Sequence, residues 1–205
     1  MTEIERRAVE QPVELRAAPD GSTSPGILTG YACVFNQLSR DLGGWFEQID
    51  TECFDLATNG RVLARLNHDS NGLLGTTDAN TLRLSADDIG VLYEIDLPNT
   101  TTGQDCAELA RRRDLAFSSF AFRPLPDGSM WMYGPNDELI RTVTHAVLVD
   151  VAPVADPAYW GSTAELVRSF DLAAIKASLS PEREVRGMPA HLLHRKTLEN
   201  AQPRI

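Results

Sequence analysis

Short runs of β-type sequence, each ended by glycine, proline, asparagine or aspartate after about ten residues, follow one another from Gln11 to Val151. That rhythm constrains the fold more than any single motif. It leaves little room for the crossover helices that a parallel α/β sheet needs, and it points to a sandwich or barrel of many short strands. The chain has 205 residues, 42% of them hydrophobic, enough for one domain with a real core.

Read in order, residues 1–10 are polar and expected to be loose. Alternating residues predict strands over 11–18 and 27–35, joined through a turn-rich loop at 19–26 as a hairpin. Further strands are expected over 45–49 and 61–67, the latter delivering Asn67-His68-Asp69 at its end. Residues 81–85 and 91–97 predict a second hairpin, with Gly90 at its tight point. Residues 104–113 carry a helical spacing, with Thr102 as the expected cap and three arginines at the end. Strands over 115–122, 129–133 and 139–151 complete the β part. An amphipathic helix is expected over 163–179 and a polar tail over 181–205. The fold class is therefore mainly β with flanking helices (α+β). The expected domain spans 11–180, between a flexible 1–10 and a flexible 181–205.

The formal net charge of −10 argues against nucleic acid or an anionic membrane as the main partner. No apolar run is long enough to span a bilayer, and residues 1–10 have no secretory-signal pattern. Three cysteines at 33, 53 and 106 match neither a disulfide framework nor a zinc pattern, and they read as reduced core thiols. His191 and His194 sit in the tail with little apolar sequence to fix them. No metal or cofactor is expected.

The run Leu115-Ala-Phe-Ser-Ser-Phe-Ala-Phe122 places two serines inside an aromatic strand. Strand parity turns Ser118, Phe120 and Phe122 to one face, and Ser119 and Ala121 to the other, where the small neighbour leaves space beside the hydroxyl. His68 lies at a strand end, where side chains are free to act. Asp150 stands near the end of an apolar strand that holds no other acid, and a buried acid there needs a partner. Serine, histidine and acid on separate strands can supply a nucleophile, a base and an orienter. Each also has an ordinary structural reading, as a packed strand serine, a polar strand end and an exposed strand terminus.

Taken together, Gly30-Tyr-Ala-Cys-Val-Phe35, Gly43-Gly-Trp-Phe-Glu47, Asn67-His-Asp69 with Leu73-Leu-Gly75, Ser119-Phe-Ala-Phe122, Val149-Asp-Val-Ala-Pro-Val154 and Asp156-Pro-Ala-Tyr159 resemble, in order and spacing, the prohead (capsid maturation) serine proteases of tailed phages. The resemblance covers about residues 12–170. It implies a small closed or partly open β-barrel of the herpesvirus assemblin type. It implies a serine endopeptidase that cuts scaffold and major capsid protein inside the immature shell, in the host bacterial cytoplasm. Self-trimming and homo-oligomerisation are compatible with it. The family's catalytic histidine falls on His68 and its serine on Ser119. Its acid, usually glutamate, falls on Asp150. The assemblins use a second histidine in third place, which leaves His145 open as the alternative. Arg141, near the start of the Asp150 strand, is a candidate for stabilising the oxyanion. The rival readings are a catalytically silent capsid or scaffold protein on the same fold, and an unrelated β-barrel binding module in which the three side chains would not cluster.

Overall fold

The computed structural model describes residues 3–156 and 170–179. Among these residues, twelve strands and two α-helices form. The strands lie in three sheets. The first holds β1 (Glu5–Val9), β9 (Phe117–Pro124), β12 (Ala146–Val154), β5 (Leu63–Arg65) and β6 (Leu73–Thr76), in that spatial order. The second holds β10 (Ser129–Tyr133), β11 (Leu139–Val143) and β4 (Phe46–Ile49). The third holds β2 (Glu14–Arg16), β3 (Ile27–Val34), β8 (Gly90–Asp96) and β7 (Leu82–Ala86). The mainly β, α+β class is as expected from the sequence. A closed barrel is not what forms among the described residues.

Both expected hairpins are present as the antiparallel pairs β2–β3 and β7–β8. Gly90 is required for close approach, since a Cβ there would fall 1.9 Å from the Cys33 carbonyl oxygen across the β3–β8 pair. Three expectations are corrected. The helix α1 spans Thr101–Arg112 and is capped by Thr100, whose side chain accepts from the Gly103 amide at 3.3 Å. Thr102 lies inside the helix, because Thr100 already has the extended backbone of a cap, at φ −118° and ψ 167°, and the helix begins at the next residue. The expected single strand over 139–151 is two strands. Thr144 and His145 turn between them, and their amides both reach the Gly128 carbonyl, at 2.9 and 3.2 Å. The polar N-terminus is a strand: Glu5–Val9 pairs antiparallel with β9. Tertiary pairing and buried ion pairs outweigh the local polarity that predicted a loose end. Of the expected 163–179 helix, Leu172–Ser178 (α2) is helical; residues 163–169 and the expected tail over 181–205 lie outside the described residues.

The main core fills the space between β9 and β12 on one side and β3 and β8 on the other, with Leu28, Ala32, Tyr93, Ile95, Phe120 and Leu148 fully buried or nearly so. Phe120 and Phe122 stack at 5.3 Å, and Phe54 meets both edge-on at 6.2 and 6.4 Å. The cysteines are free thiols in this core, as expected; burial pushes Cys33 and Cys106 up to about 12. A second cluster joins Trp45, Trp131 and Phe170, and α2 packs against it through Leu172 and Ile175.

Candidate active site

The site is assembled from three neighbouring elements of the first sheet. β9 is buried along both faces, and its two serines go to different partners as strand parity requires. Ser118 Oγ lies 2.8 Å from the Tyr93 hydroxyl in β8. Both press against the Gly30 backbone, where a Cβ would come within 2.6 Å of the Tyr93 oxygen and 2.7 Å of Ser118 Oγ. Ser119 Oγ turns the other way and lies 2.6 Å from His68 Nε2. We expect Ser118→Ala to leave turnover nearly unchanged and to lower stability by ~1–3 kcal/mol, because the buried Tyr93 hydroxyl loses its partner. Thermal melts and peptide turnover of the variant check both.

His68 closes a single 3-10 turn, Leu66–His68, that follows β5 directly. Asn67 and His68 both have positive φ, at 53° and 57°, a conformation that side-chain-bearing residues seldom adopt in succession. Hydrogen bonds hold the loop in that shape: Leu66 N to Gly72 O at 2.9 Å, Asp69 N to Leu66 O at 3.0 Å, and Ala155 N to Asn67 Oδ1 at 3.1 Å. The result is an imidazole aimed back over the sheet.

Asp150 sits in β12 just past a bulge between Leu148 and Asp150. The bulge re-aims the strand so that Leu148 stays in the core while the 2% exposed Asp150 faces His68. Its Oδ1 accepts from His68 Nδ1 at 2.5 Å, which places the ring proton on Nδ1. Arg65 Nη1 lies 3.5 Å from the other oxygen, Oδ2, so the carboxylate has a cation on each side when the ring is charged. Asp150, His68 and Ser119 therefore form one continuous chain of hydrogen bonds.

His145 is exposed at the β11–β12 turn and meets Thr144 Oγ1 at 3.2 Å, outside that chain. Arg141 is committed elsewhere. Its Nη1 lies 2.7 Å from Glu5 Oε2 and 2.9 Å from Glu47 Oε2, with Glu47 in turn gripping Arg7 at 2.6 and 3.0 Å. The oxyanion candidate is thus part of a buried four-charge network on β1, β4 and β11. Sequence reading passed over Arg65, Glu47 and this network. Glu47 had a usable signal, since it is a lone acid between Phe46, Gln48 and Ile49, the same argument that singled out Asp150.

One contact is unexpected. Ser119 is wholly buried, and its Oγ also lies 2.9 Å from the Arg7 carbonyl oxygen of β1, a second acceptor for the one proton that His68 Nε2 faces. The open space anticipated beside the hydroxyl is filled by this strand.

A serine hydroxyl, an imidazole and a carboxylate in hydrogen-bonded series define the chemistry of a serine hydrolase. Comparison with known proteins makes the class specific: the family model of the caudovirus prohead serine proteases matches residues 11–178, and the chain belongs to that family of phage serine peptidases. No curated protein and no solved structure matches the chain. Among the described residues, no helix is long and apolar enough to cross a membrane. The family accords with a role in capsid maturation, exercised inside the assembling prohead.

Proposed function

We propose that the protein is an endopeptidase that cleaves scaffold and major capsid protein in the immature prohead, with Ser119 as nucleophile, His68 as general base and Asp150 as the acid that orients it. The observation that carries the reading is the uninterrupted Asp150–His68–Ser119 hydrogen-bond series, with contacts of 2.5 and 2.6 Å. Ser119 Oγ attacks the scissile carbonyl as His68 Nε2 takes its proton. The peptide C–N bond then breaks, and the same proton passes to the leaving amine. Water, deprotonated by His68, hydrolyses the acyl-enzyme. Asp150 holds Nδ1–H and stabilises the imidazolium. The exposure of His145 and its bond to Thr144 favour Asp150 over His145 as third member. The arrangement of open sheets around one core is compatible with a partly open barrel of the assemblin type.

The test is mass spectrometry of co-expressed major capsid protein and scaffold segment with wild-type enzyme and with Ser119→Ala. Defined fragments that need Ser119 support the reading; intact partners with both chains overturn it. The same samples read self-trimming. A tail tethered to its own enzyme is met at very high effective concentration. Wild-type protein is therefore expected to shorten C-terminal to residue 179 and Ser119→Ala to stay full length, by intact mass.

A further inference from the structure

β1 lies against the nucleophile in the manner of a bound peptide. It adds to the edge of β9 as an antiparallel strand, with Ala8 opposite Ser119 and Arg7 opposite Phe120. The Arg7 carbonyl is the group that Ser119 Oγ touches. In substrate terms Arg7 stands immediately before the bond facing the nucleophile, Glu5 stands two residues further back, and Ala8 follows. Both charged side chains enter built, buried receptors. The Arg7 guanidinium is clasped by Glu47 through two bonds and lies 5.5 Å from the centre of the Phe122 ring. Glu5 is clasped by Arg141, Oε2 to Nη1 at 2.7 Å and Oε1 to Nη2 at 3.1 Å. Glu47 and Arg141 are each 3% exposed. A cavity of about 160 Å³ runs along the strand from Arg7 to Glu10, bordered by Glu47 and lined by Val34, Leu38, Ile49 and Phe120.

The strand also disarms the nucleophile. Ser119 has one hydroxyl proton and two neighbours that want it, His68 Nε2 and the Arg7 carbonyl. While the proton points at the carbonyl oxygen, it is not on the path to the base. β1 further lies outside the segment 11–178 that matches the family model.

We propose that β1 is an intramolecular occupant of the substrate cleft, that Glu47 with Phe122 and Arg141 are the specificity-determining subsites, and that the substrates are extended peptides of the form Glu-X-Arg followed by a small residue, cut after the arginine. This rests on the serine-peptidase reading above. The pattern occurs at three places in the chain: Glu5-Arg6-Arg7-Ala8, Glu14-Leu15-Arg16-Ala17 and Glu184-Val185-Arg186-Gly187. The first is β1 itself. The second is folded into the β2–β3 hairpin, with Arg16 ion-paired to Glu94. The third falls within the segment proposed for self-trimming, and assigns that cut to the Arg186–Gly187 bond.

The experiment uses full-length protein and internally quenched peptides containing Glu-Val-Arg-Gly, with matched peptides carrying Leu for the Arg or Lys for the Glu. The Glu-Val-Arg-Gly peptide is expected to show kcat/KM at least about tenfold above either relative, as for a charged pocket left unpaired by the wrong side chain. Glu47→Gln should shrink the Arg-over-Leu ratio, which simple destabilisation would not move because it scales both peptides alike. Arg7→Ala should raise turnover by loosening β1, and Glu5→Ala, at the more exposed end of the network, gives the same readout if the first variant does not fold. Ser119-dependent cleavage with no preference for arginine or glutamate overturns the subsites and leaves the serine-peptidase reading standing. Ser119 labelled by a fluorophosphonate with no peptide cut also overturns the proposal. Failure of that label in wild type and in Glu5→Ala overturns the nucleophile assignment, and the proposal with it.

Discussion

Full-length Ser119→Ala is expected to lose peptide cleavage by about 10⁶-fold, the scale seen when the nucleophile of a serine-histidine-acid unit is removed. The change deletes one oxygen from a fully buried position, so the backbone has no reason to move. What it does leave behind is the Arg7 carbonyl and His68 Nε2 without their hydroxyl partner. That amounts to ~1–3 kcal/mol, a shift of some degrees in the melting temperature and not a loss of fold. Turnover and a thermal melt on the same preparation separate the two effects. Activity that survives Ser119→Ala but disappears in Ser118→Ala would reverse the assignment of the two serines.

Asp150→Asn is expected to lower kcat by about 10⁴-fold with the protein still folded, as an amide offers its NH₂ to Nδ1 and favours the wrong ring tautomer. The bulge in β12 keeps the substituted side chain in place, because the backbone ladder on both sides of it belongs to β9 and β5 and does not involve the carboxylate. His145→Ala should change kcat little, since that ring is exposed at a turn. Steady-state kinetics on the two variants decide between the acid and the second histidine as third member. A large loss in His145→Ala with Asp150→Asn near wild type would favour the histidine.

The elements that sequence made legible are those whose information is local. Alternation and turn residues located both hairpins, the serine strand and the β4 strand, because pleat and turn chemistry act within a few residues. Parity within β9 separated Ser118 from Ser119 for the same reason. The buried-acid argument raised Asp150 beside the reading of an exposed strand end, and the family resemblance chose between them. What stayed hidden depended on residues far apart in the chain. The break at Thr144–His145 comes from the Gly128 carbonyl, not from any breaker residue in the run. β1 looked like a polar end because its charges are satisfied by Glu47 and Arg141, 40 and 136 positions away along the chain from Arg7 and Glu5. The positive φ at Asn67 and His68 has no glycine to announce it.

The place of β1 at the end of its sheet carries a consequence for handling the protein. Without it, β9 would become the outermost strand, presenting unpaired amides and carbonyls along a segment that includes Phe117, Phe120 and Phe122. A bare aromatic edge of this kind recruits strands from other molecules indiscriminately. An N-terminal tag or truncation that disturbs residues 5–9 is therefore expected to give clumped material, and light scattering of such a preparation would reveal it before any assay of activity. The same five-residue strand that a cloning strategy treats as expendable is, for this sheet, its hem.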